Sequence, residues 1–470
     1  MLATGNKVES ELDFVSSGEL ALGLSRTYNH YWDGAGLFGK HWVSNFDYKL
    51  TFGSTALNAC YPRPGGGTCS IGSNTIIYAW RPDGRTIKYI KNATDGVFYE
   101  DKPGPISTIT ILADGSFALR GEENEYETYS SAGYVASVGN GAGINWTFTY
   151  NGTYPSRVTH TSGRYVEFVW NGSQLTSVRD TAGNYYGYAY TANKFGTGLH
   201  RLASSSQPGA PITTTTYHYE KSTDATALTG KSFNGVRFST FSYDANGYAT
   251  GTEHNGVEEH VFAYTPGADG LLIVVETNPL GKQTTYEFKN GKPVSVTGHP
   301  STYCLSAMYA LTEYDSNGYP AMKSDFNDNK TAFTYNAKGQ LTQQIEAYGT
   351  PKARTTQYQW DAIENRMLNV TVVGVSRTEY SYGPAKRIWR IGVTNLSPYG
   401  VANQTRETLF SYTDYGQTLP GGIHVGLGHQ VRINQHVHRE CAGPASMESS
   451  PNSCLRPLYL CGAEPTVVRA

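Results

Sequence analysis

The chain has 470 residues with a net charge of −2, and charged residues make up 16% of it. This near-neutral balance excludes a strong electrostatic footprint for nucleic acid or for an anionic membrane. Tyr reaches 36 and Gly 52, which excludes a disordered chain and points to many short strands joined by turns.

In chain order, the opening "MLATGNKVESELDF" lacks a basic stretch followed by an apolar core, so it does not read as a secretory signal. No apolar run approaches the ~18 residues of a membrane helix, and "LLIVV" at Leu271–Val275 is of strand length. The localisation expected is cytoplasmic before any export by a dedicated secretion system. Cys60 and Cys69 flank "YPRPGGGT" and are candidates for closing that loop. "PDGR" at Pro82–Arg85 and "ADGS" at Ala113–Ser116 read as hairpin turns. Glu122–Glu123 and Glu258–Glu259 are adjacent in sequence, so their side chains point to opposite faces of a strand and read as solvated charge. "GNGAG" at Gly139–Gly143 lacks the strand-to-helix context of a phosphate loop.

From Tyr129 onward an aromatic recurs before a polar turn, at Tyr129, Tyr150, Trp170, Tyr190, Tyr219, Tyr243, Tyr264, Phe288, Tyr314, Tyr335, Trp360, Tyr382 and Tyr412. Spacings in the twenties suit one β-hairpin per unit. In "FTYNAKGQL", Phe333 and Tyr335 share a strand face, and Asn336 to Gly339 make the turn. Gly247, Gly318 and Gly339 are expected at φ > 0, and replacing one by Val should cost about 1–2 kcal/mol. Pro293 is expected near an edge or bend. One hairpin cannot bury its apolar face alone, so stacked hairpins from Phe148 to Leu419 should form one continuous curved sheet. Most of the aromatics then serve as core or wall. Exposed ones are the candidates for binding sugars or other partners.

"YDANG" and "YDSNG", the linking phrase "TNPLGKQTTYEF", and the opening phrases "ATGNKVESELDF", "LSRTYNH" and "GLFGKHWVSNFDYKL" resemble the Rhs/YD-repeat family over roughly residues 1–420. The resemblance implies an all-β array of hairpins curling into a spiral wall, a partial Rhs shell. It implies packaging in polymorphic-toxin delivery, in bacterial competition, or at the cell surface, without chemistry of its own. The chain contains no Asp-Pro dipeptide, the boundary signature of relatives that release a toxin, and is expected to be a truncated member. The division expected is an amino-terminal β domain at 1–128, repeats at 129–420, and a divergent tail at 421–470.

The tail holds His424, His429, His436, His438 and Cys441. These are zinc-type ligands, but their spacing matches no finger pattern, so neither metal nor cofactor is assigned. The reading is a non-enzymatic scaffold, with no catalytic residue assigned. Its expected partners are a toxin cargo or secretion component. The alternative is a module binding carbohydrate or protein through exposed Tyr and Trp. An open sheet edge and an uncovered aromatic inner face are expected to drive self-association.

Overall fold

The computed structural model describes residues 1–54, 75–122, 124–140, 143–191, 200–298, 310–383 and 386–411, together with the backbone of 57–60 and 422–427. The chain is all-β. One long antiparallel sheet starts at Lys49–Ser54 and advances hairpin by hairpin to Gly422–Leu427. The described strands from Lys49–Ser54 to Tyr126–Tyr129 therefore lie in the same sheet as the repeats.

The sheet begins as a tight roll. Lys49 bridges to Tyr134, and the Leu50 N–H donates to the Gly133 carbonyl at 2.9 Å. Leu50, Ile77, Tyr89, Phe98, Ile109, Phe117 and Tyr129 fill the roll. Inside it, the Arg81 Nη1 donates to both Glu127 carboxylate oxygens, at 2.6 and 2.9 Å. The other part of the first strand's edge is paired to Leu57–Cys60. The amino-terminal edge of the sheet is thus capped, which blunts it against pairing with another chain.

Beyond Val135 the sheet opens into a wide spiral and returns upon its own start. The Arg120 Nη2 meets the Glu364 carboxylate at 3.0 Å across 244 residues, and the Asn124 amide donates to the Glu364 carbonyl. A Cβ on Gly104 would collide with the Ala337 carbonyl. Glu19 bridges the Asn140 amide to Arg387. Successive hairpin tips of the first revolution thus meet successive tips of the second, turn to turn rather than strand to strand. Among the described residues twenty-two strands, from Phe117–Arg120 through Arg354–Trp360, make the revolution. At about 4.8 Å per strand the circumference is roughly 105 Å and the diameter roughly 33 Å. Wall side chains cannot fill that bore, because about eight strands already exhaust what they can fill.

Residues 1–48 lie inside. Strands Val8–Phe14, Leu24–Asn29 and Trp42–Ser44 form a separate three-stranded sheet, and Ala35–Gly36 pairs with Gly39–Lys40. This plug packs on the inner face of the wall between residues 144 and 249. Phe14 lies 4.8 Å from Tyr186 between ring centres, Phe38 lies 4.7 Å from Tyr188, and Phe46 lies 5.0 Å from Trp146. The first half of the inner face is therefore buried, and there the expected uncovered face is replaced by a core shared between plug and wall.

Candidate functional site

The repeat aromatics point into the lumen, and each has a specific task. At Tyr129, Tyr150, Trp170, Tyr190, Tyr243, Phe288, Tyr314, Tyr335, Trp360 and Tyr382 the pairing shifts by one residue. The extra residue on the return strand makes a bulge, which bends and twists the sheet. The aromatic of the next hairpin donates to the carbonyl of the residue paired at the bulge. Tyr150 reaches Val135, Trp170 reaches Pro155, Tyr190 reaches Leu175, Tyr219 reaches Leu202 and Tyr264 reaches Ala249, at 2.7–3.0 Å. Tyr314 reaches Pro293, Trp360 reaches Leu341 and Tyr382 reaches Met367 in the same way. Tyr243 donates to Leu228. Each bond rivets one hairpin to the next and is worth about 1 kcal/mol net.

Phe288 carries no hydroxyl, and the hairpin before it explains why. Its strands pair in unbroken register through Tyr264 and Pro266, turning at Ala268–Gly270. Phe288 therefore has no bulge-paired residue in the preceding hairpin. Tyr335 instead stacks on Tyr319 at 5.0 Å, and burial pushes its hydroxyl up to about 12. Pro293 sits at a bulge, where its missing N–H removes no ladder bond. Tyr412 lies outside the described residues.

Gly247, Gly318 and Gly339 have φ of 85°, 84° and 76°. The residue opening each of these turns has its own role. Asp244, Asp315 and Asn336 each accept two backbone N–H bonds through one side-chain oxygen. The Asp of the "YD" pair is thus the acceptor that closes the turn.

The plug is fixed to the wall by polar groups in a dry setting. Arg26 forks onto Asp13 at 2.7 and 2.9 Å, and Tyr188 donates to Asp13 at 2.8 Å. The rings of Phe38, Trp42, Tyr188 and Tyr217 surround the guanidinium at 5.3–5.6 Å. Lys231 on the wall meets Glu9 and Glu11 of the plug at 2.5 and 2.8 Å. Trp42 donates to the Tyr219 hydroxyl at 3.0 Å, extending a wall rivet into the plug. Tyr28 donates to the Thr226 carbonyl at 2.7 Å, and burial raises its hydroxyl well above the ordinary tyrosine range. His41 sits beneath, its Nδ1 2.7 Å from the Trp32 carbonyl, and burial pushes it down to about 4. Arg26 gave no signal in the sequence, because the Tyr188 and Tyr217 rings and the Ser205 hydroxyl that complete its surroundings lie in distant repeats.

Past residue 250 the inner alternation continues through Phe262, Tyr264, Phe333, Tyr335, Tyr358, Trp360, Tyr380 and Tyr382, but these are half-buried. Their counterparts Trp146, Phe148, Phe168, Tyr186 and Tyr188 are buried under the plug. Polar groups interrupt the uncovered stretch: His260 and Tyr286 both bond Glu276 at 2.8 Å.

Among the described residues no group of three His, Cys, Asp or Glu is placed to hold a metal, and no helix is long and apolar enough to cross a membrane. The Cys60–Cys69 pair and the tail ligands fall outside the described side chains. Glu122 pairs with Lys102.

A family model described as a domain of unknown function (DUF6531) matches residues 1–89. No curated protein matches the chain. Among solved structures the chain is similar to the crystal structure of TcdB2-TccC3-TEV, at 8% identity and a TM-score of 0.38, covering 89% of this chain and 26% of that one. It is similar to TcdB2-TccC3 at 10% and 0.38, covering 89% and 27%. It is also similar to the Photorhabdus luminescens Tc holotoxin pore at 10% and 0.36, covering 89% and 22%. The chain spans about a quarter of the length of these structures.

Proposed function

We propose that the chain is a non-enzymatic scaffold, a spiral wall of the Rhs shell type that encloses a polypeptide in toxin packaging or delivery. One observation carries the reading. The sheet makes a full revolution around a bore too wide for its own side chains, and the plug covers only the first half of the aromatic lining. A half-buried lining rich in Tyr, Phe and Trp suits a loosely held apolar polypeptide. The polar breaks at Glu276 and His260 weaken any single fixed register. The buried titratable groups serve as fasteners between plug and wall: Asp13, Lys231 and Tyr28 are each fully engaged.

The test is recovery of the chain from cells producing it, followed by proteinase K and mass spectrometry. A co-purifying polypeptide that survives digestion while held in the wall, and is degraded once denaturant opens it, is expected. Recovery of the chain with every co-purifying protein digested overturns the reading.

A further inference from the structure

Antiparallel strands send every second hairpin tip to the same end of the wall. The tips at 101–107, 121–125 and 140–144 meet the second revolution at the seam. Those at 180–184, 208–212, 234–235, 255–259, 278–282, 325–329, 347–353, 373–375 and 396–404 point the same way. Among the described residues the second revolution does not reach them, so they form a free rim.

The two sets differ in chemistry. The covered tips carry no exposed large apolar residue among their described positions, and Asn124 and Asn140 make polar contacts there. On the free rim, Ile212, Val236, Val257 and Leu280 mark four successive tips, and Tyr348 and Tyr399 mark later ones. Leu280 is 80% exposed and Tyr399 84%. The opposite tips at 219–229, 244–248, 267–270, 290–291, 315–319 and 336–340 carry no exposed large apolar residue. Ile363, beside the seam, is the exception further on. Apolar residues scattered singly over a surface are ordinary, but a row confined to one rim marks a contact. Tyr399 is also held in place for one. The Asn395 amide donates to the Tyr399 and Val401 carbonyls at 2.8 and 3.1 Å, and its oxygen accepts the Ser397 N–H at 3.0 Å.

We propose that this rim is the joint between two copies of the chain, set face to face about a two-fold axis perpendicular to the spiral. Chemistry and shape choose this occupant. A further revolution of such hairpins would bring the opposite tips, which over residues 219–340 offer nothing apolar and exposed. The same rim of a second copy sets apolar against apolar. A spiral turned over about a perpendicular two-fold is the same spiral, so the two rims match along their length. The described tips of the rim, each two strands wide, cover on the order of 850 Å2 per copy at about 4.8 Å per strand and about 10 Å of thickness, and a stable complex needs roughly 800 Å2 per partner. Glu258, Glu259, Lys282 and Lys352 give the rim both signs of charge, which does not suit an anionic lipid surface. An isologous contact closes on itself, so assembly stops at two copies. The joint rests on the tips alone, so it stands or falls separately from the enclosed polypeptide.

The test is sedimentation velocity of the purified full chain across a wide concentration series. A species of one copy, 51.3 kDa, should give way to one of two copies and to nothing larger. Val257→Ser combined with Leu280→Ser should weaken association about tenfold or more and leave the melting temperature unchanged, because both side chains are exposed. Ile363→Ser removes an equally exposed apolar residue from an opposite tip and should change nothing. Independently of any variant, amide exchange at 255–259 and 278–282 should slow at high concentration, while that at 244–248 and 315–319 should not. One copy at every concentration, growth beyond two copies, a dimer as tight in the double variant, or protection at the opposite tips each overturns the joint. Flotation of the chain with phosphatidylcholine vesicles in place of pairing overturns it as well.

Discussion

Two residue types in this molecule behave according to their immediate surroundings. His41 has its titration pushed down to about 4 by burial, against an ordinary value of about 6.5. The unfolded chain therefore binds a proton in the window from 6.5 to 4 that the folded chain refuses. Its contribution to stability is complete above 6.5 and is lost as pH falls toward 4, by on the order of 3 kcal/mol. Asp47, pushed up to about 6 by burial, slopes the opposite way, so the effect of His41 must be isolated by comparison. Denaturant unfolding across this window should show a flatter loss of stability on acidification in His41→Asn than in the parent. Asn is chosen because it accepts the left-handed backbone, φ 63°, that His41 adopts. The turn glycines differ among themselves. A Cβ on Gly247 meets nothing within 4 Å, whereas one on Gly339 strikes the Tyr319 ring. Gly247→Ala should cost about 1 kcal/mol from the backbone alone, and Gly339→Ala distinctly more. Equal melting temperatures for the two variants would contradict this ordering.

The rivet and the bulge are the logic of the element. Tyr190→Phe should cost about 1–2 kcal/mol, since it leaves the Leu175 carbonyl without its donor. Phe288→Tyr should also destabilise, by about 1–3 kcal/mol, because no bulge precedes it to supply an acceptor for a hydroxyl at a buried site. A neutral or stabilising Phe288→Tyr in thermal unfolding would break the proposed link between bulge and hydroxyl. This pairing shows how far a single sequence can be read. The aromatic and the turn glycine are local signals, and "YDANGY" displays both within six residues, while their period is read along the chain. The bulge depends on register with the neighbouring strand, and the acceptor of Tyr190 lies fifteen residues back. Nothing in the composition of "WNGSQL" marks Leu175 as that acceptor.

At the scale of the molecule, the plug is what turns an aromatic wall into a core. Its strands were hard to assign from sequence because their partners are remote: Asp13 binds Tyr188 across 175 residues and Tyr28 binds Thr226 across 198. Only the return of the spiral brings Arg120 to Glu364, across 244 residues. A chain lacking residues 1–48 should expose Trp146, Phe168 and Tyr188, bind a hydrophobic dye and associate in light scattering. A monodisperse, dye-negative truncated chain would show that the wall buries its own lining. Within the full chain, Arg26→Met should cost about 3–5 kcal/mol, because Asp13 would remain buried without its partner.

The tip-to-tip seam has a further consequence. Because one revolution rests on the next through hairpin ends, an added pair of hairpins does not widen the bore. It advances the free end along the axis, as winding more wire lengthens a coil spring of fixed gauge. Duplicating repeats within such a gene would increase the enclosed volume in proportion to the number of hairpins while leaving curvature, rivets and cross-section unchanged. Capacity would then be adjustable in small, roughly equal increments, with no need to redesign any existing contact except those at the advancing rim.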